Sequence, residues 1–579
     1  MRSPFSTCFK TKFQRPGWDI WTICTSLIGL ILSLPVLAIF SDLFGDTRAI
    51  WHHLATTVLG DYISNSLLLM LGVGIGTAVI GTSTAWLVTL CCFPGRRMFE
   101  WALLLPLAAP AYILAYTYTE LFEYYGPIQT SLRGWFGWQS VDDYWFPTMR
   151  SLPGAIVMLT LVLYPYVYLL ARSAFLSQST SLLEASRSLG CSPWRGFWQV
   201  ALPLARPAIA TGISLALMET LNDFGTVEYF SVSTFTTGIY RTWFGMGDRL
   251  AASQLAALLL AFIFGLIVLE QVSRRRQGFY QTACQDLPRY QLLNWRAGLS
   301  IFACLLPIGL GFLVPAGVLV QLLVGLSDPT ADSRADADFP SADRANPALV
   351  SAGGDQFWSF ASHSLILALL TAAIAVALSV VLAYGQRLRP GLLNRWATRT
   401  ATLGYAVPGA VIAVGVLVPL GKFDNALDAW SRASFGVGTG LLLSGTLVAL
   451  VFAYLVRFLA VSFGAVVASL GAIKPHLDDA ARSLGYGRLA TLGKIHLPLM
   501  RSGLLTAAIL VFVDVMKELP ATLIVRPFNF DTLAIRVYNL ASDERLAEAA
   551  APALAIVAVG LLPVILLSWQ MVWSKSKPA

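Results

Sequence analysis

The sequence predicts an all-α polytopic membrane protein of about twelve transmembrane helices, arranged as two parallel six-helix repeats. Three observations predict it. The 579 residues are 56% hydrophobic and only 12% charged, whereas a soluble domain carries about 25% charged residues. The apolar residues gather into runs close to the roughly 20 that a helix needs to cross a bilayer. A polar stretch also recurs at one offset. Glu184-Ala185-Ser186-Arg187-Ser188-Leu189-Gly190, followed by Leu202-Pro203, returns 295 residues later as Asp479-Ala480-Ala481-Arg482-Ser483-Leu484-Gly485, followed by Leu497-Pro498.

Taken in order, the first run is 20–40, behind the basic residues Arg2, Lys10, Lys12 and Arg15. That charge pattern also opens a signal peptide. The run has full span length and no small-x-small cleavage site follows, so an uncleaved first helix is expected. Spans follow at 64–90, 101–120, 152–176, 207–224 and 250–271 in the first half. The second half offers 298–324, 360–385, 399–420, 438–464, 502–518 and 549–573. Pro110, Pro165, Pro315 and Pro408 lie inside these runs and mark possible kinks, which membrane helices tolerate when neighbours satisfy the backbone. Seven Cys with no paired ligand spacing point to neither a disulfide framework nor a zinc site.

Lys and Arg mark the inner side of a membrane protein. With the N-terminus inside, the inner segments 1–19, 91–100, 171–206, 272–297, 386–400, 465–501 and 574–579 hold 26 of the 40 Lys and Arg. Both termini and both copies of the polar stretch then fall on the inner side. The net charge of +8 is therefore read as orientation rather than as a nucleic-acid face. Asn65-Ser66-Leu67 corresponds to His363-Ser364-Leu365 and Pro110 to Pro408 at an offset of 298. Glu219 corresponds to Asp514, Asp223 to Glu518, Thr237 to Thr532 and Arg241 to Arg536 at 295. The expected repeats are 1–297 and 298–579, related by an axis along the membrane normal, with the transport pathway between them. The Asp-rich outer loop 325–358 reads as a poorly ordered excursion.

Each polar copy, within about 180–206 and 475–501, is expected to form a helix-turn-helix elbow on the membrane surface. Residues 179–181 offer caps, the acid suits the helix dipole, and Gly190 or Gly485 permits a left-handed exit. A second short helix then runs to Pro203 or Pro498. Glu184, Ala185, Arg187, Gly190 and Pro203, with Asp479, Ala480, Arg482, Gly485 and Pro498, resemble the EAA motif of permease subunits of binding-protein-dependent ABC importers. The resemblance covers most of the chain and implies the type I ABC importer fold. It also implies that the elbows are coupling helices seated on two copies of a separate ABC ATPase subunit. No G-x-x-x-x-G-K-[ST] phosphate loop is present, since Gly421-Lys422 and Gly493-Lys494 lack the rest of it. The chain is thus expected to be a transport subunit rather than an enzyme, with no cofactor of its own and ATP used by the partner.

Charges inside spans are costly and functional by default. Glu219, Asn222 and Asp223 lie in the fifth span, and Asp514, Lys517 and Glu518 in the eleventh. The i, i+4 spacing places each carboxylate pair on one helix face. Facing each other across the two-fold axis, they suit a multivalent cation, which prefers oxygen ligands. A weak passage is expected rather than a tight metal site. The segments Glu219–Phe230, Thr234–Arg241, Met516–Leu523 and Arg526–Ala534 resemble ferric-iron permeases. That resemblance implies Fe(III) delivered by a periplasmic iron-binding protein, docking on outer loops 225–249 and 519–548, at the bacterial inner membrane. Permeases for thiamine or a polyamine remain alternatives, and a twelve-helix secondary transporter is the alternative of another class.

Overall fold

The computed structural model of the chain describes residues 19–178, 184, 188–274, 290–327 and 347–573. Eleven helices among them are long and apolar enough to cross a membrane, and a pair bent by 88°, Arg96–Ala108 with Ala111–Phe136, brings the count to twelve. We number them α1 (Ile20–Asp42), α2 (Leu59–Leu90), α3 (the bent pair), α4 (Leu152–Leu176), α5 (Leu202–Asn222) and α6 (Arg249–Arg274). The second half holds α7 (Trp295–Gly325), α8 (Pro347–Leu388), α9 (Gly409–Phe435), α10 (Leu447–Gly471), α11 (Leu497–Lys517) and α12 (Leu546–Trp573). Both halves run through spans in the same order, and the even helix count of each repeat gives them the same orientation.

Pro110 and Pro408 break the chain rather than bend it. Each adopts an extended ψ of 145° and stands immediately before a helix, because the ring removes a donor and disfavours the helical conformation of the preceding residue. In each half a short 3₁₀ turn, Leu105–Ala108 or Leu403–Ala406, precedes the break. The ninth span accordingly begins at Gly409, not near 399, and the tenth shifts to Leu447–Gly471. Pro165 lies within an unbroken α4, and Pro315 follows a π turn, Gly309–Leu313, in α7.

The fifth and eleventh spans start earlier than their hydropathy indicates. Pro193–Gly196 and Arg488–Thr491 do not end in a turn. They pass through π turns at Phe197–Ala201 and Leu492–His496 directly into α5 and α11. Leu202 N–H donates to Phe197 O and Leu497 N–H to Leu492 O, five residues back. The widened turn accommodates Pro203 and Pro498, which bring a ring and no N–H. The expected second short helix of each elbow is therefore the N-terminal end of a spanning helix.

The first helix of each half packs across the other half. In α1, Thr25 Oγ1 donates to Asn394 Oδ1 of the second half at 2.7 Å. Tyr118 Oη of the first half donates to Leu310 O of α7 at 2.6 Å. Among the described residues the largest apolar cluster draws on helices of both halves, and two smaller clusters are separate from it. Packing is close: a Cβ on Gly560 of α12 would strike the Ala108 carbonyl of the first half. Small residues of this kind let membrane helices approach where lipid offers no hydrophobic drive.

The repeat register differs from the sequence reading in one place. Ser66 Oγ accepts from Phe235 N–H at 3.4 Å, and Ser364 Oγ accepts from Leu533 N–H at 2.8 Å. Thr234 and Thr532 stand at the N-caps of the two helices so held. The partner of Thr532 is thus Thr234, at an offset of 298, and not Thr237. Arg241 and Arg536 lose their correspondence for the same reason. The second half carries three more residues between Glu518 and its cap than the first does after Asp223.

Candidate functional site: a polar cavity between the halves and two elbows

Where α5 and α11 end, the two halves enclose a cavity of about 170 Å³. All six residues picked out in the fifth and eleventh spans line it: Glu219, Asn222, Asp223, Asp514, Lys517 and Glu518. They do not share helix faces as the i, i+4 spacing implies. α5 stops at Asn222 and α11 at Lys517, and Asp223 and Glu518 follow with extended ψ of 132° and 123°. Both outer acids cap the next short helix. Asp223 accepts from Thr226 N–H (3.1 Å), Thr226 Oγ1 (3.0 Å) and Val227 N–H (3.1 Å). Glu518 accepts from Ala521 N–H at 3.0 Å and from Arg457 Nη1 at 2.9 Å. Satisfying buried backbone donors explains why the helices stop there.

Asn222 and Lys517, which correspond in the repeat, bond across the interface in a crossed pattern. Asn222 Oδ1 accepts from Gly409 N–H at 2.8 Å, at the start of α9. Lys517 Nζ donates to Leu107 O at 2.7 Å, in the 3₁₀ turn of α3. Each long helix thus grips the proline break of the opposite half. Glu219 and Asp514 are left facing the cavity. Among the described residues Glu219 accepts only a long bond from Asn222 Nδ2, at 3.4 Å, and no hydrogen bond to Asp514 is found.

Much of the segments 225–249 and 519–548, expected as outer docking loops, lies instead in the core. Thr226, Val227, Phe230, Phe235 and Ile239 are buried, as are Ala521, Val525, Ile535 and Val537. The short helices Gly225–Tyr229 and Pro520–Val525 fold back as part of the cavity wall. Phe528, at 94% exposure, and Phe244 remain on the surface.

On the side expected to be inner, the second elbow is a short helix, His476–Ser483, closed by a Schellman turn. Gly485 N–H donates to Arg482 O and Tyr486 N–H to Ala481 O, and Gly485 has φ +80°. Gly190 has φ +81° at the equivalent place. Glu184, Pro203, Asp479, Ala480, Arg482 and Pro498 are exposed, whereas Ala185 and Arg187 lie outside the described residues. Arg482 pairs with Asp479 of its own helix at 2.5 Å. The elbow is anchored one residue earlier. Asp478 accepts from Arg387 Nη2 at 2.8 Å and Nε at 2.9 Å, and lies 2.6 Å from Nε2 of the buried His496. Arg387 also donates to Leu470 O and Ile473 O at the end of α10. Leu189 and Leu484 stand at the two elbow tips, 84% and 75% exposed.

Comparison with known proteins accords with this architecture. The model of the family described as "Binding-protein-dependent transport system inner membrane component" matches the chain twice, over residues 93–277 and 375–577. The chain belongs to this family. Both matches of this transport-system inner membrane component take in an elbow, α5 or α11, and the cavity wall that follows. The chain is 28% identical to Fe(3+)-transport system permease protein FbpB 2 of Haemophilus influenzae, over 96% of this chain and 98% of that protein. It is 23% identical to Ferric transport system permease protein FbpB of Actinobacillus pleuropneumoniae, over 94% of this chain and 76% of the other. The Escherichia coli Molybdenum transport system permease protein ModB aligns over 87% of its own length but only 34% of this chain, at 28% identity. The family model thus matches this inner membrane component twice in one polypeptide, whereas ModB aligns with only about a third of it.

Sequence reasoning missed several residues of this component's two sites, Asp478 and Arg387 of the second elbow among them. Arg457 stood in plain view as a lone charge in the tenth apolar run. Tyr166 and Tyr405, also in the cavity wall, carried no signal, because aromatic residues are common in membrane helices. His496 read as part of an inner loop, and only the uninterrupted helix into α11 places it against Asp478.

Proposed function

We propose that this chain is the membrane subunit of an ABC importer for ferric iron. Its cargo is delivered by a periplasmic binding protein, and a separate ATPase drives transport through both elbows. The observation that carries the reading is the carboxylate-lined cavity between the halves, in a chain that aligns over 96% of its length with a ferric permease. Glu219 and Asp514 are hard oxygen donors on helices of opposite halves, which suits a hard cation and disfavours an anionic cargo.

The elbows support the power source. Leu189 and Leu484 are large apolar groups left in water on a polar inner surface, an arrangement that marks a protein contact. With the elbows and both termini cytoplasmic, ATP binding would close two ATPase subunits, and the elbows would pass that motion to α5 and α11. The unbroken path from Arg488 through the π turn to Lys517 supplies a stiff connection from elbow to cavity. No cofactor is assigned to this chain itself.

The test is uptake into proteoliposomes holding the complex with its ATPase and binding protein, using radioactive Fe(III) competed with thiamine and spermidine. ATP-dependent iron uptake that neither competitor reduces is expected. Iron uptake persisting without the ATPase, or displacement of iron by the organic cations, overturns the reading.

A further inference from the structure

A second cavity, open and of about 310 Å³, lies where α8 ends, beside the Arg387 clamp of the second elbow. Gln386 of α8 and Phe463 of α10 line it, with Arg395, Thr398, Arg399 and Thr402 of the short helix Leu392–Thr402. Two arginines in one lining repel each other and call for a counter-charge. The neighbouring arginines have one. Arg387 is paired with Asp478, and Arg389 and Arg488 share Asp19. The cavity lining contains no acid, and among the described residues neither Arg395 nor Arg399 forms an ion pair. Arg399 lies over the Trp396 ring, 6.0 Å from its centroid. Thr398 and Thr402 spend their hydroxyls on carbonyls of their own helix.

The first half closes the matching place with its own side chains. Glu100 pairs there with Arg96 at 2.9 Å and with Arg172 at 3.7 Å, and Tyr168 Oη donates to Glu100 O at 2.8 Å. The counterparts of Glu100 and Arg96 are Thr398 and Asn394, at an offset of 298. Those of Arg172 and Tyr168 are Val467 and Phe463, at 295. Arg96 and Asn394 keep one shared contact that supports this register: each donates to a carbonyl near the end of the preceding span, Val88 O or Gly385 O. The acid and the phenol are thus both gone from the second half. Arg399 is added where the first half has Trp101.

The charge calls for an anion, and the apolar surroundings select which one. Leu392, Trp396 and Leu403 recur at helical spacing along the same segment and remain exposed. A short helix that sets Trp and Leu beside Arg suits the interface of a bilayer, where lipid phosphates lie. A guanidinium meets a phosphate with a planar fork of donors, and basic pockets between spanning helices take the head groups of anionic lipids.

We propose that Arg395 and Arg399, with Gln386, form a site for the phosphate head group of one anionic phospholipid, whose acyl chains run past Leu392 and Trp396. Bound there, the head group ties α8, the short helix and α10 together at the point from which Arg387 holds the second elbow. The first half supplies a carboxylate of its own and has no such site. The proposal does not depend on the cargo.

Full-length protein in dodecyl maltoside is unfolded thermally while dioleoylphosphatidylglycerol, dioleoylphosphatidylcholine or inorganic phosphate is titrated in. Phosphatidylglycerol is expected to raise the midpoint saturably, and neither of the others to do so at the same concentration. R399W, which installs the residue of the first half, should raise the half-saturating concentration about fivefold, and R395Q/R399Q about thirtyfold, at about fivefold for each cation lost. R206Q/R501Q removes two exposed arginines at the start of α5 and α11 and should leave it unchanged. Native mass spectrometry of the same proteins counts the phosphatidylglycerol retained, expected to be one fewer in R395Q/R399Q, whatever the substitutions do to the midpoint itself. A midpoint raised equally by phosphatidylcholine, or by inorganic phosphate alone, overturns the proposal. So does an unchanged half-saturating concentration in R395Q/R399Q, or an equal rise in R206Q/R501Q.

Discussion

Arg457 and Glu518 form a buried ion pair, Nη1 to Oε1 at 2.9 Å, at the place where the first half has Val162 and Asp223. The asymmetry has a local cause. Asp223 accepts three hydrogen bonds from the helix it caps, whereas Glu518 accepts one, from Ala521. Ala521 stands in place of Thr226 and brings an N–H but no hydroxyl to offer Glu518. The guanidinium supplies a donor that the capped helix does not. Removing one partner of a buried pair leaves an uncompensated charge and costs about 3–5 kcal/mol. R457V should therefore lower the thermal midpoint markedly, while R457V/E518Q, which removes both charges, recovers most of the loss. A double variant no more stable than R457V would show that the pair is not what holds this region.

The inner and outer acids should separate experimentally. Asp223 is a cap, and its replacement by Ala costs about 1 kcal/mol of stability. Glu219 and Asp514 make little use of their carboxylates in the fold. E219Q and D514N should keep the thermal midpoint and lower the uptake rate at least tenfold, whereas D223A should lower the midpoint as well. Uptake and thermal unfolding measured on the same preparations decide between these assignments. Unchanged uptake in both E219Q and D514N would remove them from the pathway.

The twelve helices, the parallel repeat and the inner pair of acids were legible in the sequence, because each is written in local pattern: apolar run length, fixed offset, a charge where charges are costly. Helix ends were not. Hydropathy extends α5 through Asp223, but a carboxylate that finds N–H donors ahead of it ends the helix instead. The third span hid its break because Pro110 reads as a kink until the 3₁₀ turn before it is seen. Crossed contacts such as Lys517 to Leu107 and Asn222 to Gly409 join residues 410 and 187 positions apart. Only the assembled halves reveal them.

The second elbow should be held more firmly than the first. Asp478, Arg387 and His496 clamp it to α8 and α10, and the first half has Leu183, Thr89 and Ala201 at the matching positions. D478N keeps the shape of the side chain and weakens both links. It should leave thermal stability nearly unchanged while reducing the uptake obtained per ATP hydrolysed, whereas an equivalent change at Leu183 should do neither. Equal coupling in D478N and the parent would assign the clamp no part in transmission.

Gly485 and Gly190 offer a check on the elbow geometry. A side chain at φ near +80° costs about 1–2 kcal/mol, and among the described residues space is not the obstacle, since a Cβ at either glycine meets none of them within 4 Å. G485A should therefore loosen the Schellman turn without disturbing the spanning helices. The readout is retention of the ATPase during purification. G485A should lose part of it, G190A/G485A most of it, and the helical content of the membrane subunit should be unchanged. Full retention in the double variant would separate the turns from ATPase binding.

The cross-half contact at Gly560 tests whether the break in α3 is held from outside. Gly560 of α12 lies directly on the carbonyl of Ala108, next to Leu107, whose own carbonyl receives Lys517. A methyl group at 560 has to displace backbone rather than the end of a flexible side chain, and overpacking of this kind costs about 1–3 kcal/mol. The 3₁₀ turn is the shorter and less anchored of the two elements, so it should be the one that moves, pulling Leu107 away from Lys517. G560A is then expected to lower the thermal midpoint by several degrees. Uptake should fall further than that loss alone explains, because the freed ammonium faces Asp514 and Glu219 and competes with the cargo for them. K517M in the G560A background should restore part of the uptake while leaving the midpoint low. If the double variant transports no better than G560A, the ammonium is not the competitor and the turn acts on transport by another route.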